Sequence, residues 1–236
     1  MIRYYCWNTQ NARKAAIFLA EAKMDHEIVP VNLFDNEHKR EEYTAICPNG
    51  RIPALVDTEV VDENGRSLAI FESGCILVYL GEKTQLFLPV DPAKKFEVLQ
   101  WVFWQMSGLG PTLGQLAHFA APMNLESPSV NALLKHYCAE DVHAYPLERF
   151  MNESIRLLGV LETALEGKAF IAGEYSIADM AIFPWIESAW SSFKAANPEI
   201  DGDFKNIVQW MERISARSAV GQVLKDYAWE NDAMFR

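Results

Sequence analysis

Three stretches in the first half of the chain carry residue types from which a small-molecule site can be built. Glu72 and Ser73 stand where a β-like run, 67–71, gives way to a helical pattern. A helix N-terminus presents unpaired N–H groups and partial positive charge, so it receives carboxylates. The Ser73 hydroxyl adds a donor, and the Glu72 carboxylate suits an ammonium group. Together they fit the zwitterionic end of an α-amino acid. The same pair also reads as a plain capping serine beside a dipole-friendly glutamate.

The second stretch is Ile52-Pro53, inside Pro48-Asn49-Gly50-Arg51-Ile52-Pro53. A proline that follows a turn and precedes a strand is a candidate for a cis bond. That bond would turn the Ile52 N–H and C=O outward, free to pair with an extended peptide. The alternative is a trans proline opening an edge strand. The third stretch is Trp7-Asn8-Thr9-Gln10-Asn11. Hydroxyl and amide donors at a helix start stabilise a thiolate and lower its pKa from about 8.5. Polar residues are common at such positions, so this stretch alone is not specific.

The elements that must hold these residues are legible as patterns. Residues 2–7 are rich in aromatic and β-branched types and read as a strand. Ala15, Phe18, Leu19 and Ala22 then mark one helix face, with Thr9 or Asn11 as its cap. A second strand is expected at 27–32, at a sheet edge because Pro30 cannot donate to a ladder. Residues 54–56 and 67–71, joined through Asp62-Glu63-Asn64-Gly65, read as an antiparallel hairpin. Ser73 should cap a helix with Ile76, Leu77 and Leu80 on its apolar face. Strand-helix-strand followed by hairpin and helix gives a mixed four-stranded sheet, the thioredoxin-like fold in outline.

Beyond Asp91-Pro92 the signals are helical. Leu99, Val102, Phe103 and Met106 form a stripe, and Gly108-Leu109-Gly110-Pro111 should interrupt or kink it. Residues 120–131 read as a loop, and 132–166 as a long helical stretch broken near Pro146 and stopped at Gly167. Ser176-Ile177-Ala178-Asp179 resembles a capping box with Asp in the Glu/Gln place. A last amphipathic helix is expected to carry Phe204, Ile207, Val208, Trp210, Met211 and Ile214. The expected division is a thioredoxin-like domain at 1–88 and an all-helical domain at 93–236.

Composition excludes several classes. The formal net charge of −11 repels phosphate backbones and anionic lipid, so nucleic acid and membrane are not expected partners. No run of 18 apolar residues and no signal-peptide pattern is present, and a cytoplasmic protein is expected. Cys6, Cys47, Cys75 and Cys138 lack C-x-x-C or zinc spacing, as do the five histidines, so reduced thiols and no metal site are expected.

The 48–55 and 71–80 segments, taken with Ser176–Asp179, resemble the glutathione transferase superfamily, and the resemblance covers essentially the whole chain. A narrower likeness to the Nu class rests on Thr9, Asn11, the 99–105 segment, Gly108-Leu109-Gly110-Pro111, Gly114-Gln115 and His118-Phe119. The resemblance implies glutathione as cosubstrate, a homodimer, reduction of small disulfides and weaker conjugation of electrophiles. It also implies roles at matching positions. Glu72 and Ser73 would bind the γ-glutamyl end, while Ile52, ahead of Pro53, would pair with the cysteinyl backbone. Thr9 and Asn11 would donate to the sulfur. Arg40 would help to hold the glycine carboxylate with His38, which stands where relatives have glutamine. Arg149 would reach the site from the partner subunit. The segment between Pro122 and Tyr145 looks longer than in close relatives. Two rivals remain: a non-catalytic glutathione-binding scaffold of the same fold, and a thiol-transferase using Cys6 or Cys47 as nucleophile.

Overall fold

The computed structural model describes residues 1–120 and 144–227. Strand β1 (Ile2–Cys6) alternates as expected of a strand with one covered face: Ile2, Tyr4 and Cys6 are buried. Helix α1 (Gln10–Glu21) follows, and Thr9 rather than Asn11 is its cap. Strand β2 (His26–Pro30) then pairs parallel to β1. Strands β3 (Ala54–Val61) and β4 (Ser67–Phe71) form the antiparallel hairpin, and β3 pairs antiparallel to β1. The order β2-β1-β3-β4 puts β2, with Pro30, at an edge. A short 3₁₀ turn (Glu37–Lys39) and helix α2 (Glu41–Thr44) lie between β2 and β3.

Helix α3 (Ser73–Thr84) buries Ile76, Leu77 and Leu80 as its pattern requires. Its cap differs from expectation. Glu72 is the N-cap, makes no side-chain cap bond and has φ 70°, while Ser73 is already the first helical residue. The Ser73 hydroxyl is engaged elsewhere, which leaves the start of α3 free of a side-chain cap.

The rest of the described chain is helical. Helix α4 (Pro92–Trp104) opens with Asp91 accepting from the Lys94 N–H. Val98 and Val102 are its buried face; Phe103, expected on the stripe, is 66% exposed. At Gln105–Leu109 the helix widens into a π-helical turn, then runs on as α5 (Gly110–Ala120). The glycines and Pro111 therefore redirect the helix without ending it. Helix α6 (Ala144–Ala164) carries Pro146 in its first described turn. The expected loop from residue 121 on and the helical pattern at 132–143 lie outside the described residues.

Helix α7 (Ile177–Ala196) starts at the capping box. It is followed by α8 (Ile200–Asp203), α9 (Lys205–Ser215) and α10 (Ser218–Asp226). Helix α9 is thus not the last. Val220 and Val223, three apart, bury the face of α10, too short a stripe to stand out in the sequence. Helix α1 packs against both α7 and α10, so one continuous apolar core joins the sheet to the helices. No described helix is long and apolar enough to cross a membrane.

Candidate functional site

A cavity of about 700 Å³ opens where the starts of α1 and α3, the proline turn and the π-helical turn converge. Asn11, Ile52, Pro53, Glu72 and Ser73 all border it. The Ile52–Pro53 bond is cis. Three stretches separated by tens of residues are thereby brought to one wall.

Each is fixed by local structure. Asn11 lies in the first turn of α1, where its Oδ1 accepts from Trp185 Nε1 of α7 at 3.0 Å. That bond leaves the Asn11 amide N–H groups as its remaining donors. Thr9 does not border the cavity; its hydroxyl accepts from the Ala12 N–H at 3.3 Å and keeps its own proton to donate. The proline turn is held by Tyr43, whose hydroxyl donates to the Arg51 carbonyl at 2.6 Å. Gly50, with φ 57°, supplies the bend.

Under Ser73 lies a residue the sequence reading did not single out. Lys14 is fully buried, and its Nζ donates to Ser73 Oγ at 3.2 Å, Gln105 Oε1 at 2.5 Å and Met106 Sδ at 3.3 Å. Burial pushes its pKa down to about 7, opposed by the nearby Glu72 carboxylate. Gln105 and Met106 reach it because the π-helical turn turns both inward, and π turns recur at functional sites. Gly74 and Gly110 are required there. A Cβ on Gly74 would lie 2.8 Å from Met106 Cγ, and one on Gly110 2.7 Å from Gln105 Nε2. The available signal was spacing: Asn11 and Lys14 are three apart on one helix face.

His38, Arg40 and Arg149 do not border this cavity. His38 is buried, its pKa lowered by desolvation and then by Lys39 and Arg51. Arg40 pairs with Glu37 at 3.0 Å on the surface. Arg51, two residues from Pro53, borders the cavity instead. Arg149 lines a second cavity of about 730 Å³ beside Thr112 and Tyr145.

Cys6 and Cys47 fare differently as nucleophiles. Cys6 is buried, 3.4 Å from the Tyr227 hydroxyl, and burial pushes its thiol up to about 12. A thiol in that state is inert. Cys47 borders the cavity, but its buried Sγ donates to the Arg51 carbonyl at 3.2 Å. Among the described residues, no group of three His, Cys, Asp or Glu is arranged to hold a metal ion.

Known proteins resemble this chain along most of its length. The glutathione S-transferase N-terminal domain matches residues 1–82 and the C-terminal domain residues 146–218. The disulfide-bond oxidoreductase YfcG of Escherichia coli is 39% identical, over 95% of this chain and 94% of its own. YghU, a disulfide-bond oxidoreductase of the same organism, is 32% identical over 93% of this chain and 72% of its own. A glutathione transferase from Pseudomonas putida, solved with one glutathione disulfide per subunit, superposes with TM-score 0.79. It is 34% identical, over 95% of this chain and 90% of its own. One from Burkholderia graminis, with two glutathione molecules per subunit, gives TM-score 0.79 at 36% identity, over 97% and 88%. With its thioredoxin-like sheet domain and helical second domain, the chain belongs to the glutathione S-transferase family.

Proposed function

We propose that the protein is a glutathione-dependent enzyme that reduces small disulfides and conjugates electrophiles more weakly. The observation that carries this reading is the convergence of Ile52, Glu72, Ser73 and Asn11 on one cavity. The uncapped start of α3 and Ser73 receive the γ-glutamyl carboxylate, and Glu72 its ammonium. Ile52 pairs with the cysteinyl backbone. Asn11 on the cavity wall and Thr9 at the adjoining cap of α1, its hydroxyl proton free, are the proposed donors to the sulfur, so the thiolate is stabilised by preorganised donors.

The nucleophile then belongs to glutathione. Its thiolate attacks one sulfur of the disulfide, forms a mixed disulfide and expels the other half as a thiolate, which takes up a proton. A second glutathione attacks the mixed disulfide through its own thiolate, releasing the remaining thiol and glutathione disulfide. The YfcG and YghU relatives support disulfide chemistry over conjugation alone. Arg40 and His38 are the proposed contacts of the glycine end, with Arg51 nearer to the cavity. A homodimer is proposed from the exposed aromatics Phe96 and Phe103 on α4, with Arg149 as the residue that would cross it. The free thiols Cys6, Cys47 and Cys75 suit the reducing cytoplasm.

Glutathione-dependent reduction of a small symmetric disulfide and conjugation of an aryl halide, assayed side by side, test the reading. Faster disulfide turnover is expected. Conjugation alone would overturn the reductase reading, and binding without either reaction would favour the scaffold.

A further inference from the structure

This inference rests on reading the cavity as a glutathione site. Lys14 is the only fully buried lysine among the described residues, and no described carboxylate lies within ion-pair distance of it. Its three protons are directed at three neutral acceptors, on Ser73, Gln105 and Met106. An ammonium placed so is costly to keep charged. The positive start of α3 adds to that cost, since Ser73 is its first residue.

The neighbours show what the arrangement lacks. Ser73 Oγ accepts from Lys14, so its own proton is available to donate. The acceptor it has is Met106 Sδ at 3.6 Å, a weak one. The Gln105 amide, also fully buried, gives its Oε1 to Lys14 and leaves Nε2 without a partner. An anion seated over Ser73 would give its hydroxyl a stronger acceptor and Lys14 a countercharge.

We propose that Lys14 is a positioning residue for glutathione: its ammonium holds Ser73 Oγ so that the hydroxyl proton faces the γ-glutamyl carboxylate, and binding draws a proton from solvent onto Lys14. No covalent bond changes; one proton moves from solvent to Nζ as the anion enters. Burial holds the Lys14 pKa down to about 7. The arriving carboxylate favours the charged form, so the proton is held to higher pH. Affinity therefore falls as pH rises above 7, on the order of tenfold between pH 6.5 and 8.5. The other titratable or charged groups facing this region are Glu72 on α3, Cys47 and Arg51 at the proline turn, and His118 on α5. The neighbouring Arg13 of α1 is paired with Glu187 of α7.

The test is titration calorimetry with S-methylglutathione, whose capped thiol cannot ionise. Two buffers of different ionisation enthalpy, used at pH 6 and pH 8, give the protons taken up. The wild-type protein should take up little at pH 6 and close to a full proton at pH 8. Lys14→Met should bind at least tenfold more weakly at pH 6.5 and lose the extra uptake at pH 8, which subtracts any contribution from Glu72, Cys47 or His118. Lys14→Arg, always charged, should show no extra uptake. Equal uptake by wild type at both pH values overturns the inference, and that result needs no variant to fold. Unchanged affinity in a folded Lys14→Met overturns the positioning role. No binding of the probe to wild type would instead overturn the glutathione site itself.

Discussion

Each half of this protein holds a fully buried charged side chain, Lys14 in the first and Asp179 in the second, and these two are treated in opposite ways. Asp179, three residues into the capping box of α7, has every lone-pair direction engaged. Its Oδ1 accepts from the Ile171 N–H at 3.0 Å and Trp210 Nε1 at 2.8 Å. Its Oδ2 accepts from the Ser176 N–H at 3.0 Å and the Ser176 hydroxyl at 3.3 Å. Lys14, beside the cavity, has neutral partners, no ion pair and a neighbouring amide N–H left unsatisfied. A saturated buried charge fixes a fold, because removing any partner exposes an uncompensated group. An unsaturated one at a cavity wall is left for a ligand to complete.

Asp179→Asn is the most damaging way to probe that contrast. The amide puts N–H groups where Asp179 accepts from the backbone or from Trp210, so about 3 kcal/mol of stability should be lost. Urea unfolding measures this, and the folded fraction should bind glutathione as wild type does. A loss below about 1 kcal/mol would mean that the network is less rigid than its distances imply.

Glu72→Gln should act on the other side of the comparison. It removes a carboxylate from the cavity rim without touching the core, so stability should hardly move. Glutathione affinity should fall roughly tenfold, the order of one charge-assisted hydrogen bond. Calorimetry gives the number; an unchanged affinity would remove Glu72 from the ammonium contact.

The pH dependence of stability separates the two residues by sign. Desolvation raises Asp179 from 3.8 to about 6, with the bonds from Trp210, Ile171 and Ser176 opposing. Between pH 4 and 6 the folded chain holds more protons than the unfolded one, so this contribution falls as pH rises through that window. Lys14 is depressed from 10.5 to about 7. There the unfolded chain holds more protons, so stability rises between pH 7 and 10. Asp179→Asn should flatten the acidic slope and Lys14→Met the basic one, read from unfolding free energies across pH.

Much of this was legible from local chemistry. The period of Ile76, Leu77 and Leu80, the Asn64-Gly65 turn and the Ser176–Asp179 box each specify a structure within a few residues, and each formed as expected. Ile52-Pro53 and Glu72-Ser73 were legible as motifs, and the fold brings them to one cavity. Lys14 was not, because a lysine beside an apolar stripe reads as solvated. Its burial depends on Gln105 and Met106, about 90 residues away, and on a π turn that no single-residue preference announces. Ser73 has the right chemistry for a cap and reads as one, but its hydroxyl is claimed by Lys14 and Glu72 is the N-cap of α3. Arg51 reads only as a turn residue, yet the turn it belongs to forms part of the cavity wall.

In the proposed mechanism the reacting thiol belongs to glutathione, and donors at the start of α1 activate it. Disulfide turnover by a Cys6→Ala/Cys47→Ala double variant, measured beside Thr9→Ala, tests this most directly. The double variant should keep wild-type turnover within about twofold, and Thr9→Ala should lose roughly a hundredfold in kcat with little change in glutathione affinity. Loss of turnover in a folded double variant, with Thr9→Ala unaffected, would contradict it and make the protein's own cysteine the nucleophile.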